Sequence, residues 1–94
     1  MWRFEWDDTK AEANLNKHSV NFDEAQSVFL DPLARIVDDV EHSHDEDRAA
    51  VIGMSYQHRL LVVIFTDRNR NIRLISARKA TRKERIDYET GSIA

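Results

Sequence analysis

The sequence predicts one α+β domain spanning residues 1–94: an antiparallel four-stranded meander sheet, two N-terminal helices packed on it and a C-terminal helix. Three observations carry this. Apolar residues recur at helical spacing between positions 8 and 29. Short apolar runs separated by polar turns follow between positions 33 and 78. Thr81 and Glu84 then form a capping-box signature for a closing helix. A chain of 94 residues suits one domain, and no repeat, linker or low-complexity tract divides it.

Positions 2–6, Trp-Arg-Phe-Glu-Trp, alternate apolar and charged residues as a half-buried strand does, with Trp2, Phe4 and Trp6 on one face. Asp7 and Asp8 offer N-cap oxygens to a first helix over 8–18, with Ala11 and Leu15 on one face. Lys17 and His18 fall in its last turn, where cations suit the helix dipole. Asn21 followed by Glu24 reads as a capping box for a second helix, whose buried stripe is Phe22, Ala25, Val28 and Phe29. Asp31-Pro32 ends it, because proline disfavours helical geometry in the preceding residue.

The meander is read as strands over 33–37, 48–54, 59–66 and 72–78. An acidic solvated loop covers 38–47, a turn lies near Tyr56-Gln57-His58, and a polar turn covers 67–71. The third strand is apolar at every position from 60 to 65, so it should be central and covered on both faces. The last helix runs from the Thr81–Glu84 box to about Glu89, with Gly91 as a stop signal. Its apolar content is little more than Ala80, Ile86 and Tyr88, so it packs lightly or meets a partner.

Charge is unevenly placed. Residues 1–47 carry 4 Lys/Arg against 13 Asp/Glu, and residues 48–94 carry 10 against 4. A basic half suits a polyanionic partner; alternatively the two halves neutralise each other across the fold. There is no cysteine, which removes disulfides and thiolate metal sites and fits a reducing compartment. The N-terminus lacks the apolar run of a signal peptide, and the longest apolar stretch, 60–65, is far short of the roughly 20 residues that span a bilayer. A soluble cytoplasmic protein without membrane contact is the expectation.

Three segments together resemble the BrnT toxin family. They are Phe4-Glu5-Trp6-Asp7 with Lys10-Ala11 and Asn14; Lys17-His18 with Val20, Phe22, Glu24-Ala25 and Val28-Phe29; and the run from Ile72 through Arg73, Leu74, Ile75, Ser76 and Ala77 to Arg78, with Ala80, Glu84 and Tyr88-Glu89. The similarity spans about residues 4–89, and the order and spacing of the pieces make it specific. The family often has glycine after its Lys-His pair, where this chain has Ser19. Glycine there would form a left-handed helix cap without penalty, so serine should cost a little stability. The resemblance implies a fold similar to RelE-type toxins and a ribonuclease that suppresses translation. It also implies a BrnA-like ribbon-helix-helix antitoxin that neutralises the toxin and carries the pair to operator DNA. A non-catalytic RNA-binding or co-repressor module, acting only with the antitoxin, is the alternative.

Metal-independent RNA cleavage needs a base for the ribose 2′-OH, cations for the phosphate and an acid for the leaving 5′-oxygen. It would leave a 2′,3′-cyclic phosphate and a 5′-OH. No metal and no cofactor are expected. His18 is the leading acid/base candidate, since an unperturbed imidazole titrates near 6.5; otherwise it is a helix-end cation. Lys17 beside it would hold phosphate. Arg78, at the end of the fourth strand, is the main phosphate ligand by its planar fork. Arg73 is a weaker one, because five residues of alternation point the two to opposite faces unless the strand bends. The alternative for both is salt bridging to the acidic half. Glu84 is the capping partner of Thr81, with a second reading as general base or orienter of Arg78. Tyr88, one turn later, packs the helix on the sheet or stacks on a base. Arg82, with Lys83 and Arg85, adds positive charge for RNA or for an acidic antitoxin. The mechanism supposes that His18 and Arg78 meet in one groove. His42 and His44 belong to the solvated acidic loop rather than to a metal site, and His58 to a turn.

Overall fold

A computed structural model describes residues 2–38 and 48–91. The chain runs β1 (Arg3–Glu5), α1 (Asp8–His18), α2 (Phe22–Ser27), a 3-10 turn (Val28–Leu30), β2 (Arg35–Asp38), β3 (Arg48–Met54), β4 (Leu60–Arg68), β5 (Asn71–Lys79) and α3 (Arg82–Thr90). The sheet has five strands in the order β1-β5-β4-β3-β2. β2 to β5 form an antiparallel meander, and β1 pairs parallel to β5 through Arg3–Asn71, Phe4–Ile72 and Glu5–Arg73.

This corrects the expected four-stranded antiparallel meander carrying two N-terminal helices. The N-terminal strand joins the sheet and makes it mixed, with three helices around it. Pairing of β1 with β5 joins opposite ends of the sequence, so no local signal specifies it. The second helix is also shorter than its apolar stripe suggests. It gives way at Val28 to a 3-10 turn that closes at Asp31. The strands otherwise lie within about two residues of their predicted bounds, and α1 begins and ends where predicted. The acidic loop with His42 and His44 falls outside the described residues from position 39 onward.

Two cores sandwich the sheet. On one face α1, α2 and the 3-10 turn bury Val20, Phe22, Ala25 and Val28 against Val51, Leu61, Val63, Phe65, Ile72, Leu74 and Ala77. On the other, Ala50, Ile52, Leu60 and Val62 are covered by Met54, Ile64, Ala80 and Tyr88. β4 supplies both cores by alternation, which is why its run is apolar throughout. Each fully buried Leu, Ile or Phe contributes about 1.5–3 kcal/mol. An aromatic chain of edge-to-face contacts, Trp2 and Phe4 on Phe29 and Phe29 on Phe65, ties the short β1 to the first core.

α1 is held by a side-chain amide rather than by an apolar stripe. Its inward positions are Ala11, Asn14 and His18, while Leu15 is 46% exposed. Buried Asn14 accepts from the Ala77 N–H at 3.0 Å and donates to the carbonyls of Ala77 and Val20, both at 2.9 Å. The amide thus stands in for a neighbouring strand where β1 has already ended, pairing both the N–H and the carbonyl of Ala77. Ser19 caps α1 at φ 60, ψ 31, the left-handed conformation expected at this position.

Candidate functional site

The register decides which cations share a face. Between Leu74 and Ser76, β5 carries one extra residue: Phe65 pairs with Leu74 while Ile64 pairs with Ser76, leaving Ile75 as a bulge. Strict alternation would put Arg73 and Arg78 on opposite faces. The bulge shifts the parity by one, so Arg73 pairs with Thr66, Arg78 pairs with Val62, and both side chains lie on the α3 face. Arg48 pairs with Thr66 across β3 and β4, and Arg68 pairs with Asn71, on that same face. The outcome is a row of arginines from three strands beside a lightly packed helix.

At one end of the row Arg78 makes a two-toothed ion pair with Glu84: Nη1 donates to Oε1 at 2.7 Å and Nη2 to Oε2 at 2.9 Å. The same Glu84 accepts from the Thr81 N–H at 2.8 Å, and the Thr81 hydroxyl accepts from the Glu84 N–H at 3.2 Å, which completes the capping box. Glu84 therefore bonds the Arg78 guanidinium and the Thr81 N–H at once. Hydrogen bonding from Arg78 outweighs burial and holds the Glu84 carboxyl down at about 2. So weak a base does not suit proton abstraction near neutral pH; it suits aiming a guanidinium.

At the other end, Glu5, Arg48, Thr66, Arg68, Asn71, Arg73 and Ile75 line a cleft of about 320 Å³. Arg73 Nη1 donates to Glu5 Oε2 at 2.9 Å, and both side chains are close to half exposed, so the pair stays reachable from solvent. The Thr66 hydroxyl is buried without a hydrogen-bond partner. Of these residues only Arg73 was singled out in the sequence. Glu5, Arg48, Thr66 and Arg68 all sit near the ends of their strands, but nothing local says that those ends converge.

His18 and Lys17 are elsewhere. α1 docks with the first core and the Ala77 edge, whereas Arg78 projects to the α3 face. The single groove expected to join His18 with Arg78 is not formed, because the bulge turns Arg78 away from the face that α1 covers. Lys17 is exposed and His18 half-buried at the helix tip. Near this tip, Arg59 donates to the Ser19 carbonyl at 3.0 Å and pairs with buried Glu24, which also accepts from the Ser55 hydroxyl at 2.7 Å. Arg59 lowers the Glu24 pKa, against the opposing effect of burial. Asn21 caps the Glu24 N–H at 2.7 Å, but the Glu24 side chain turns inward to Arg59, so the second predicted box is only half made.

Tyr88 packs on the second core, and its hydroxyl donates to Asp31 Oδ2 at 2.6 Å. Burial and that bond raise the phenol to about 12. Burial opposes the charged form of Asp31, but bonds from Tyr88 and the N–H groups of Met54 and Leu33 outweigh it and lower the carboxyl pKa. This fixes α3 to the segment before β2. Of the two readings of Tyr88, the geometry serves packing; base stacking would have to leave this bond aside. Arg82, Lys83 and Arg85 are exposed on α3, and His58 lies in the β3–β4 turn at φ 61. No described helix is long and apolar enough to cross a membrane.

Comparison with known proteins places this geometry. The family model described as the ribonuclease toxin BrnT of type II toxin–antitoxin systems matches residues 6–84. The fold is similar to that of the Brucella abortus ribonuclease toxin BrnT, seen in a crystal structure at 1.1 Å resolution. The TM-score is 0.69 at 22% identity, over 87% of this chain and 100% of that one. No match was found among curated proteins.

Proposed function

Since the chain belongs to the BrnT family of ribonuclease toxins of type II toxin–antitoxin systems, we propose that it is an endoribonuclease working on the α3 face of its sheet. The arginine row carries this reading. The bulge at Ile75 aligns Arg73 with Arg78, and Glu84 aims the Arg78 fork. Arg78 holds the reacting phosphate and stabilises the charge that grows on it during attack by the 2′-oxygen, while Arg73 holds the strand further along the row. Cleavage proceeds without a divalent metal: the 2′-oxygen bonds to phosphorus as the bond to the 5′-oxygen breaks, solvent takes the 2′-OH proton and returns one to the 5′-oxygen, and the products are a 2′,3′-cyclic phosphate and a 5′-OH. Arg82 draws the strand toward the face. His18 and Lys17 lie on the far face and contact RNA outside the reacting phosphate. Glu84 is a positioning residue. In the cytoplasm the protein suppresses translation, and a BrnA-like ribbon-helix-helix antitoxin covers this face and carries the complex to operator DNA. The fold is read as kin to that of the RelE-type toxins.

The test is cleavage of RNA in EDTA by the antitoxin-free protein, with growth followed in cells expressing the chain alone or with its neighbouring gene product. Cleavage should vanish in Arg78→Ala and fall in Arg73→Ala while circular dichroism stays native, and His18→Ala should still cut. Activity that survives loss of both arginines and disappears with His18 would move the chemistry to the tip of α1. RNA binding without products, in the wild type, would leave a non-catalytic module.

A further inference from the structure

We propose that the cleft at the far end of the arginine row is a second phosphate site, which takes one phosphodiester of the RNA strand outside the position held by Arg78. This deepens the ribonuclease reading and rests on it. Arg48, Arg68 and Arg73 line a cleft of about 320 Å³ in which Glu5 is the one carboxylate among the described lining residues. That volume suits a phosphate with part of its sugar. At about 3.3 Å per strand residue, the four residues from Val62 to Thr66 separate the cleft from Arg78 by roughly 13 Å, further than one phosphate group reaches. The two ends of the row therefore take different phosphates of one strand.

The observation that points to a ligand is Thr66. The residue is 6% exposed, and its hydroxyl has no hydrogen-bond partner. A buried hydroxyl left unpaired has lost its hydration with no hydrogen bond to offset the loss. Thr66 nonetheless lines the cleft between Arg48 and Arg73, which pair with it on either side. A phosphate oxygen in the cleft would accept from the hydroxyl and from the guanidinium groups together. Arg73 gives Nη1 to Glu5, which fixes the direction of its fork. Glu5 at the same time opposes extra negative charge. The cleft therefore suits the single charge of a diester better than the double charge of free phosphate, and this separates a nucleic-acid strand from inorganic phosphate as the source of the ligand.

A DNA hexanucleotide, which lacks the 2′-OH and cannot be cleaved by this chemistry, serves as the strand probe, and inorganic phosphate as the free-anion probe. Both are titrated at low salt against the full chain and against Thr66→Val, Arg73→Ala and Lys10→Ala. Lys10 is exposed on α1 and controls for the loss of one positive charge. Thr66→Val should bind the hexanucleotide roughly tenfold more weakly, the usual loss for one hydrogen bond to a charged group. It should melt no lower than the wild type, because valine removes an unpaired polar atom. Arg73→Ala should weaken binding further, Lys10→Ala much less, and inorganic phosphate should bind more weakly than the strand. Hexanucleotide binding that is unchanged in Thr66→Val, or no binding to the wild type, overturns the proposal. Free phosphate binding as tightly as the strand overturns the diester assignment. RNA cleavage by the wild type reports separately on the ribonuclease reading. If cleavage is absent while Thr66→Val loses the hexanucleotide, the cleft stands and that reading fails; if Thr66→Val cleaves and binds normally, the reading stands and the cleft does not.

Discussion

Replacing Glu84 by Gln removes the charge that meets Arg78 but keeps a side chain able to close the capping box with Thr81. The size of the effect follows from the carboxyl. It titrates at about 2 in the folded chain against an ordinary value of 4.5. A gap of roughly 2.5 units is worth about 3 kcal/mol at most. Both side chains keep partial exposure, 30% for Arg78 and 24% for Glu84, so solvent screening brings the expected contribution to about 2 kcal/mol. The folded pKa is depressed, so this stability is present above about 4.5 and is lost as pH falls toward 2. Urea unfolding at pH 7 and pH 3 measures it, with Trp6, packed edge-on to Phe22 at 5.9 Å, as the fluorescent reporter. Glu84→Gln should be about 2 kcal/mol less stable at pH 7, and more than half of that difference should be gone at pH 3. A difference of equal size at both pH values, or none at pH 7, would refute the claim that the Arg78 pair depresses this carboxyl.

Asn14→Ala strips partners from the backbone of Ala77 and the carbonyl of Val20, and should cost about 3 kcal/mol by chemical denaturation. Ser19→Gly relieves a left-handed serine and should stabilise the fold by about 0.5–1 kcal/mol, seen as a melting point raised by roughly 2–8 °C. Tyr88→Phe removes the bond to Asp31 and should cost about 1–2 kcal/mol while leaving the other Asp31 bonds in place. Because the Tyr88 phenol is raised to about 12 from an ordinary value of 10, its stabilising effect is full below about pH 10 and fades as pH rises toward 12. Absorbance at 295 nm should show a tyrosine ionising near 12 in the wild type, and that step should be missing in Tyr88→Phe.

The sequence by itself determined where α1 and α3 begin and roughly where each strand lies. Caps and breakers are local chemistry: Asp7 starts α1, Thr81 with Glu84 starts α3, and Asp31-Pro32 stops the first helical region. The unbroken apolar run over 60–65 also made β4 recognisable as the strand covered on both faces. The tie between Arg78 and Glu84, six residues apart, was also within reach of the sequence. The site as a surface was not. Whether Arg73 joins Arg78 depends on one bulged residue, Ile75, which the pairing with β4 selects and no propensity announces. Whether Arg48 and Thr66 meet Arg73 depends on registers between strands distant in sequence. Helical spacing was misleading at Leu15, because α1 is anchored by the Asn14 amide to a strand edge rather than by an apolar stripe. Parallel pairing of β1 with β5 was likewise invisible, since a three-residue strand gains its place only when Phe29 and the already formed sheet are there to receive it. Local free-energy preferences are written residue by residue, whereas the side of a sheet on which a charge emerges is set by pairing across the whole chain.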